Sequence, residues 1–171
     1  VGQENVSITG RGRIDGQGLT KRDTEKGGRV QGGSIGTGDK AIALKLCRNV
    51  LIRDVTIFRG GHFAIIVSGC ELGTIDNVTI DTNRDGIDID CCKYLTVTNC
   101  KVNTPNDDAI VLKSSYTLKK PVACEHIAIN NCIITGYKLG TLLDGTYVPE
   151  KVNWVCGRFK LGTESNGGYK N

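Results

Sequence analysis

The chain has 171 residues and a formal net charge of +4, long enough for one domain with a sizeable core. The charge is mild and spread, which excludes the dense Lys/Arg patch of a nucleic-acid binder. No apolar run approaches the length of a membrane span. Glycine is frequent, at 23 residues, and methionine is absent; the apolar residues lean to Val and Ile, with Thr beside them, which favours strands.

The sequence opens abruptly at Val1, with no initiator Met and no signal peptide, and stops at Asn171 as a Gly-Gly turn opens. It reads as an internal piece of a longer protein, a single partial domain over residues 1–171. Residues 19–40 are polar and Gly-rich and read as a loop over one end.

From Cys47 one template recurs: Cys, two residues, apolar, any, Ile or Val, any, Asp or Asn, Val or Cys, any, Ile or Val. It appears as CRNVLIRDVTI, CELGTIDNVTI from Cys70, CKYLTVTNCKV from Cys92 and CEHIAINNCII from Cys124. Only Gly73 breaks an apolar position. The starts are 23, 22 and 32 residues apart (47 to 70, 70 to 92, 92 to 124), so the last interval carries an insertion.

Val50 and Ile52 alternate as on a strand, and so do Val55 and Ile57, but out of phase with the first pair. A corner must lie between them, because a period of two fixes the face of each side chain. The corner falls on Asp54, Asn77, Asn99 and Asn131. Asn and Asp tolerate left-handed backbone, and stacked Asn side chains can hydrogen-bond along a ladder. A third apolar run completes each turn at Phe63 to Val67, Ile87 to Ile89 and Ala109 to Leu112. Three short strands per 22 or 23 residues describe a coil. Coils stacked at about 4.8 Å make an all-β parallel β-helix, whose core exists only through stacking. A leucine-rich repeat would need Leu-x-x-Leu-x-Leu, which is missing. Residues 136–156 read as an inserted loop that could wall a cleft.

Cys47, Cys70, Cys92 and Cys124 occupy one column of the repeat, and Cys100 and Cys132 share a column with Val55 and Val78. Residues interchangeable with Val read as buried, free and apolar. No Cys-x-x-Cys pair suggests zinc, and no metal or cofactor is expected. Cys91 and Cys156 lie outside the template and are the remaining candidates for a disulfide, which is not expected.

The third strand carries the unusual residues. Alignment of the coils sets Asn83-Arg84-Asp85-Gly86-Ile87 beside Asn106-Asp107-Asp108-Ala109-Ile110. Asp85 then lies over Asp108 with Asp107 adjacent, so three carboxylates converge on one face. Charges that close disfavour joint ionisation, and at least one pKa should rise. Such a cluster implies a cation or a catalytic use. His62 aligns with Arg84, one coil earlier, and either lines a cleft or is a loop histidine. His126 lies inside the strand template and reads as structural. Lys113 falls opposite in parity to Ile110 and Leu112 and can face the cleft. Glu164 is a further acidic residue in a turn-like sequence.

DTNRDGIDID (81–90) resembles the Asn-Thr-Asp-Gly-Ile/Phe-Asp signature of the polygalacturonase family, glycoside hydrolase family 28. NDDAIVLKSS (106–115) is similar to its second signature, an Asp-Asp pair before an apolar strand. NVSITGRGRIDGQG (5–18) resembles the family's first coil, and GRFKLGTESNGGYKN (157–171) its next catalytic coil. The resemblance implies a right-handed parallel β-helix and inverting hydrolysis of pectic polysaccharide, polygalacturonate or rhamnogalacturonan, by a secreted or periplasmic enzyme acting as a monomer. It implies Asp107 as general acid, with Asp85 and Asp108 activating the water.

The chain departs from the family pattern in three places. Arg84 stands where Thr is usual, and either holds a substrate carboxylate or is a surface residue. The family's Gly-His-Gly is absent, the aligned stretch being Cys156 to Lys160, so the role of that His is not carried over. No separate Arg-x-Lys coil follows. Arg158 and Lys160, whose i, i+2 spacing predicts one strand face, are the candidates to grip a galacturonate carboxylate, with Asn83 as a further substrate contact. Two other readings share the fold: a polysaccharide lyase with calcium on the Asp cluster, and a non-catalytic carbohydrate-binding or adhesin module.

Overall fold

The structure, a computed structural model, describes residues 1–17, 19, 38–151 and 157–171. The chain winds through successive coils of three strands. The first coil holds β1 (Glu4–Thr9), β2 (Arg13–Asp15) and β3 (Lys40–Lys45); the second holds β4 (Arg48–Arg53), β5 (Thr56–Phe58) and β6 (Phe63–Ser68). The third holds β7 (Glu71–Asp76), β8 (Thr79–Asp81) and β9 (Asp85–Asp90); the fourth holds β10 (Lys93–Thr98), β11 (Lys101–Asn103) and β12 (Ile110–Ser114). The fifth holds β13 (Cys124–Asn130), β14 (Ile133–Thr135) and β15 (Phe159–Ser165), and β16 (Tyr169–Lys170) follows.

Equivalent strands pair in parallel, so the coils build three sheets with no antiparallel hairpin between named strands. The first sheet runs β1-β4-β7-β10-β13-β16, the second β2-β5-β8-β11-β14 and the third β3-β6-β9-β12-β15. This is a parallel β-helix. Its register is the one the template demands: Val50 pairs with Gly73 and Gly73 with Leu95, Ile57 with Ile80, and Ile65 with Ile87, then Ile110.

The inward residues stack into columns. Ile52, Ile57, Ile65, Ile80, Ile87, Ile89 and Ile110 are completely buried. One coil would leave each half exposed, so burial of this core is a property of the stack. At Gly73, the break in the pattern, the Leu95 side chain of the next coil closes the gap. The outermost coils have no full neighbouring coil on their outer side among the described residues; only the start of β13 is covered there, by β16. Val6, Ile8 and Ile14 at one end, and Ile127, Ile129, Cys132 and Ile134 at the other, are correspondingly half-buried.

The corner residues Asp54, Asn77, Asn99 and Asn131 all have left-handed φ, between 51° and 65°. Their ladder is broken rather than continuous. Asn77 donates to Asp54 at 2.8 Å and Asn131 to Asn99 at 2.6 Å, but Asn99 donates to Asp76. A second left-handed column runs through Asn5, Asn49, Leu72, Tyr94 and His126. His126 stacks on Tyr94 there at 4.6 Å, consistent with a structural role.

Cys47, Cys70, Cys92, Cys100 and Cys124 are buried and free, as is Cys91. Cys132 departs from the expectation: it is free but half-buried, because it lies on the last described coil. Cys156 lies outside the described residues, as do residues 20–37 of the loop expected at 19–40 and residues 152–156 of the second one. Lys40, placed in the first loop, belongs to β3. The described part of the second loop, 136–151, is built of turns with a bridge between Tyr137 and Pro149. It docks on a buried pair. Asn103 donates to Asp81 at 2.9 Å, Asp81 accepts from Gly140 N, and Asn103 accepts from Tyr137 N.

Candidate active site

The third sheet positions the acidic cluster. Inward Ile87 and Ile110 are register partners, so Asp85 and Asp108, each two residues earlier, occupy equivalent places on adjacent coils; Gly86 N donates to Asp108 O. Gly86 is required beside Asp85, because a Cβ there would collide with Ala109 O and with the Val102 side chain. The strand start is pressed against the core, which holds Asp85 in place.

Asp108 is almost fully buried and held on both oxygens. Gly157 N donates to Oδ1 at 2.9 Å and Lys160 Nζ to Oδ2 at 2.8 Å. Asp107 is the more exposed of the adjacent pair. Its Oδ2 lies 2.5 Å from an Arg84 guanidinium nitrogen, and Thr104 donates to its backbone oxygen. Asn106 donates to Asn83 across the two coils, which ties the turns preceding Asp85 and Asp108 together.

Asp85 is the electrostatic centre. It is 4% exposed, and its Oδ1 has no hydrogen-bond partner of the ordinary donor kind. Burial first, then repulsion from Asp88 and the adjoining Asp107 carboxyl, raise its pKa to about 9; Lys113 works in the opposite direction. A carboxyl against a carboxylate is stable only with a proton between them. Asp85 therefore keeps its proton well above the usual carboxylate range.

Asp88 belongs to the same cluster. It is fully buried between its register partners Ile66 and Val111, and burial raises its pKa to about 7 against the pull of Lys113. Lys113 Nζ lies 2.6 Å from Asp88 and 3.6 Å from Asp85. Burial disfavours the Lys113 charge, but Asp88 and Asp85 outweigh it and raise its pKa above the ordinary value. The sequence DGIDID carries a signal for Asp88: with Ile87 and Ile89 inward, position 88 must lie on the outer face.

The other expected residues divide. His62 sits one residue before Phe63, the register partner of Asp85, and stacks on Phe63 at 4.1 Å. It is thus on the carboxylate side, beside Arg84. Lys160 is at the centre, on Asp108. Arg158 precedes β15, and its guanidinium reaches Thr104 O, so it braces the turn before Asp107 while Lys160 meets the carboxylate. Lys113 faces the site, with its ammonium on Asp88.

Comparison with known proteins follows the same lines. The sequence profile of Glycosyl hydrolases family 28 matches residues 2–140. An exopolygalacturonase of Platanus acerifolia is 28% identical over 112 residues, covering 61% of this chain. A crystal structure from Parabacteroides merdae ATCC 43184, of a protein provisionally described as a glycosyl hydrolase, superposes with a TM-score of 0.59 at 25% identity over 88% of this chain. The chain spans 28% of the length of the first and 62% of the second.

Proposed function

From the premise that the chain belongs to glycosyl hydrolases family 28, we propose that it supplies the catalytic carboxylates of a polygalacturonase-like enzyme that hydrolyses galacturonosyl linkages in pectic polysaccharide outside the cell. The observation that carries this reading is the juxtaposition of Asp85, Asp107 and Asp108 on two adjacent coils, surrounded by the cations Arg84, Lys113 and Lys160.

The chemistry follows from the exposure and partners of the three. Asp107, the most exposed of the three, gives a proton to the glycosidic oxygen as the bond from that oxygen to C1 breaks. Asp108, fixed by Gly157 N and Lys160, and Asp85 hold the water that attacks C1 from the opposite face. The Asp108 carboxylate takes the proton of that water as the new C1–O bond forms, and the proton passes back to Asp107, so the configuration inverts and the site is restored. Arg84 and Lys160, which carry the charge to meet a galacturonate carboxylate, orient the sugar.

The test is product analysis of the protein acting on polygalacturonate and on rhamnogalacturonan. Hydrolysis releases saturated reducing ends and continues in the presence of a chelator. An ultraviolet-absorbing unsaturated product that requires calcium would replace this reading with a lyase. Binding without product would replace it with a carbohydrate-binding module.

A further inference from the structure

A lysine and an aspartate with no direct role in the proposed reaction lie beneath the three carboxylates. Asp88 is fully buried, and its Oδ2 has no hydrogen-bond partner. Among the described residues its compensating charge is Lys113, 2.6 Å from Oδ1. Lys113 is itself only 15% exposed in its side chain and lies over the Phe63 ring at 5.2 Å. An ion pair this deep costs desolvation of both members, and hydrophobic residues would often be as stable. Ile66 and Val111, which flank Asp88 in its own register column, show that the column accepts apolar side chains. The pair therefore has an alternative the fold would tolerate, yet the ammonium also reaches Asp85, at 3.6 Å.

We propose that Asp88 and Lys113 are positioning residues for the hydrolysis described above: a buried ion pair that fixes the Asp85 carboxyl and sets how firmly it holds its proton. The inference rests on that reading for its catalytic consequence, but its electrostatic content stands on the side-chain geometry alone.

The two residues act on Asp85 with opposite sign. Lys113 favours its ionised form and Asp88 disfavours it. The charged and titratable groups around them come from every neighbouring element. On β9 and the turn before it these are Arg84, Asp88 and Asp90; on β12 and its turn Asp107, Asp108 and Lys113; on β15 Lys160 and Glu164. Beside β6 stands His62, and β3 brings Lys40, over Phe63. Of these, Asp88, Asp107 and Lys113 act most on Asp85, while Asp88, Asp85 and Glu164 act on Lys113. A charge within about 4–6 Å moves a carboxyl by about 1–3 pH units, so removing either member should be readable.

The experiment uses two readouts on the whole protein: carboxyl titration by NMR with ¹³C-labelled aspartate and no substrate, and the basic limb of kcat/KM, where the Asp85 proton is lost. Lys113→Met should move the titration of Asp85 and the basic limb to higher pH. Asp88→Asn should move both to lower pH, and Lys113→Arg should restore the wild-type position. The double variant Lys113→Met with Asp88→Asn removes both charges and should lie between the single variants. It also carries the test if Lys113→Met alone fails to fold.

Displacement of both single variants in the same direction, or titration unchanged in both, would overturn the proposal. A protein that titrates as stated but hydrolyses no pectic substrate would separate the two claims: the ion pair would stand and the hydrolase reading would fall.

Discussion

Replacing Asp85 by Asn tests the electrostatics of the site through stability as well as rate. Burial, Asp88 and Asp107 raise the Asp85 pKa from 3.8 to about 9. A carboxyl whose pKa is higher in the folded than in the unfolded protein takes up a proton on folding. Its contribution is fully favourable below about pH 4 and is lost progressively as pH rises toward 9, because the unfolded chain gives up the proton first. At pH 7 the difference corresponds to at most about 4 kcal/mol, at about 1.4 kcal/mol per pH unit. Relaxation and water entry reduce this toward the about 1–3 kcal/mol of a buried, imperfectly paired polar group. Asn has nearly the same shape and cannot ionise, so it escapes this loss. Urea unfolding followed by circular dichroism, near pH 4 and near pH 7.5, should show Asp85→Asn gaining about 1–3 kcal/mol relative to wild type between the two conditions. Hydrolysis should fall about 10²–10⁴-fold at the same time. A stability difference between variant and wild type that is the same at both pH values would refute the assignment of a raised Asp85 pKa.

The cysteines and the cations of β15 give further predictions. The template cysteines should be reduced; burial raises the Cys100 thiol to about 12 and the Cys124 thiol to about 11, so neither should react with a maleimide in the native protein. Cys132, half-buried, should label first of the six, and rapid native labelling of all six would contradict the buried columns. Lys160→Ala should raise KM on polygalacturonate about tenfold, equivalent to about 1.4 kcal/mol, whereas Arg158→Ala, which removes the brace on Thr104 O, should lower kcat more than it raises KM. Unchanged kinetics in both would remove β15 from the site.

The sequence carried the fold in unusual detail because a β-helix repeats its constraints. Each Cys-led template states where a strand starts, where the parity breaks at Asp54 or its equivalents, and which side chains face in, and the stack gives each statement a neighbour that agrees with it. The same register places Asp85 over Asp108 without any knowledge of side-chain conformation. What was not legible depends on reach rather than spacing. Arg158 and Lys160 share an i, i+2 relation, but Arg158 lies before the strand and long side chains choose partners by local geometry, so one braces a backbone oxygen and the other meets Asp108. The second left-handed column was hidden because Leu72 and Tyr94 are not residues that announce positive φ. Asp81 and Asn103, which hold the 136–151 segment, look like ordinary strand-end polar residues until the loop is seen on them. Asp88 was overlooked because Asp85 and the Asp107–Asp108 pair already satisfied the family signature, although the alternation DGIDID set it on the outer face with Lys113.

The central claim is that Asp85, Asp107 and Asp108 act together on the glycosidic bond, and the most direct measurement is the rate of reducing-end release from polygalacturonate by the three folded Asp→Asn variants of the whole protein. Each should lose at least about 10²-fold in kcat, and combining any two should cost far less than the product of the single losses, since groups that act as a unit are not additive. Asp107→Asn should recover in part on a substrate whose leaving group needs no proton, and the other two should not. Folded variants that all keep near wild-type rates would contradict the account.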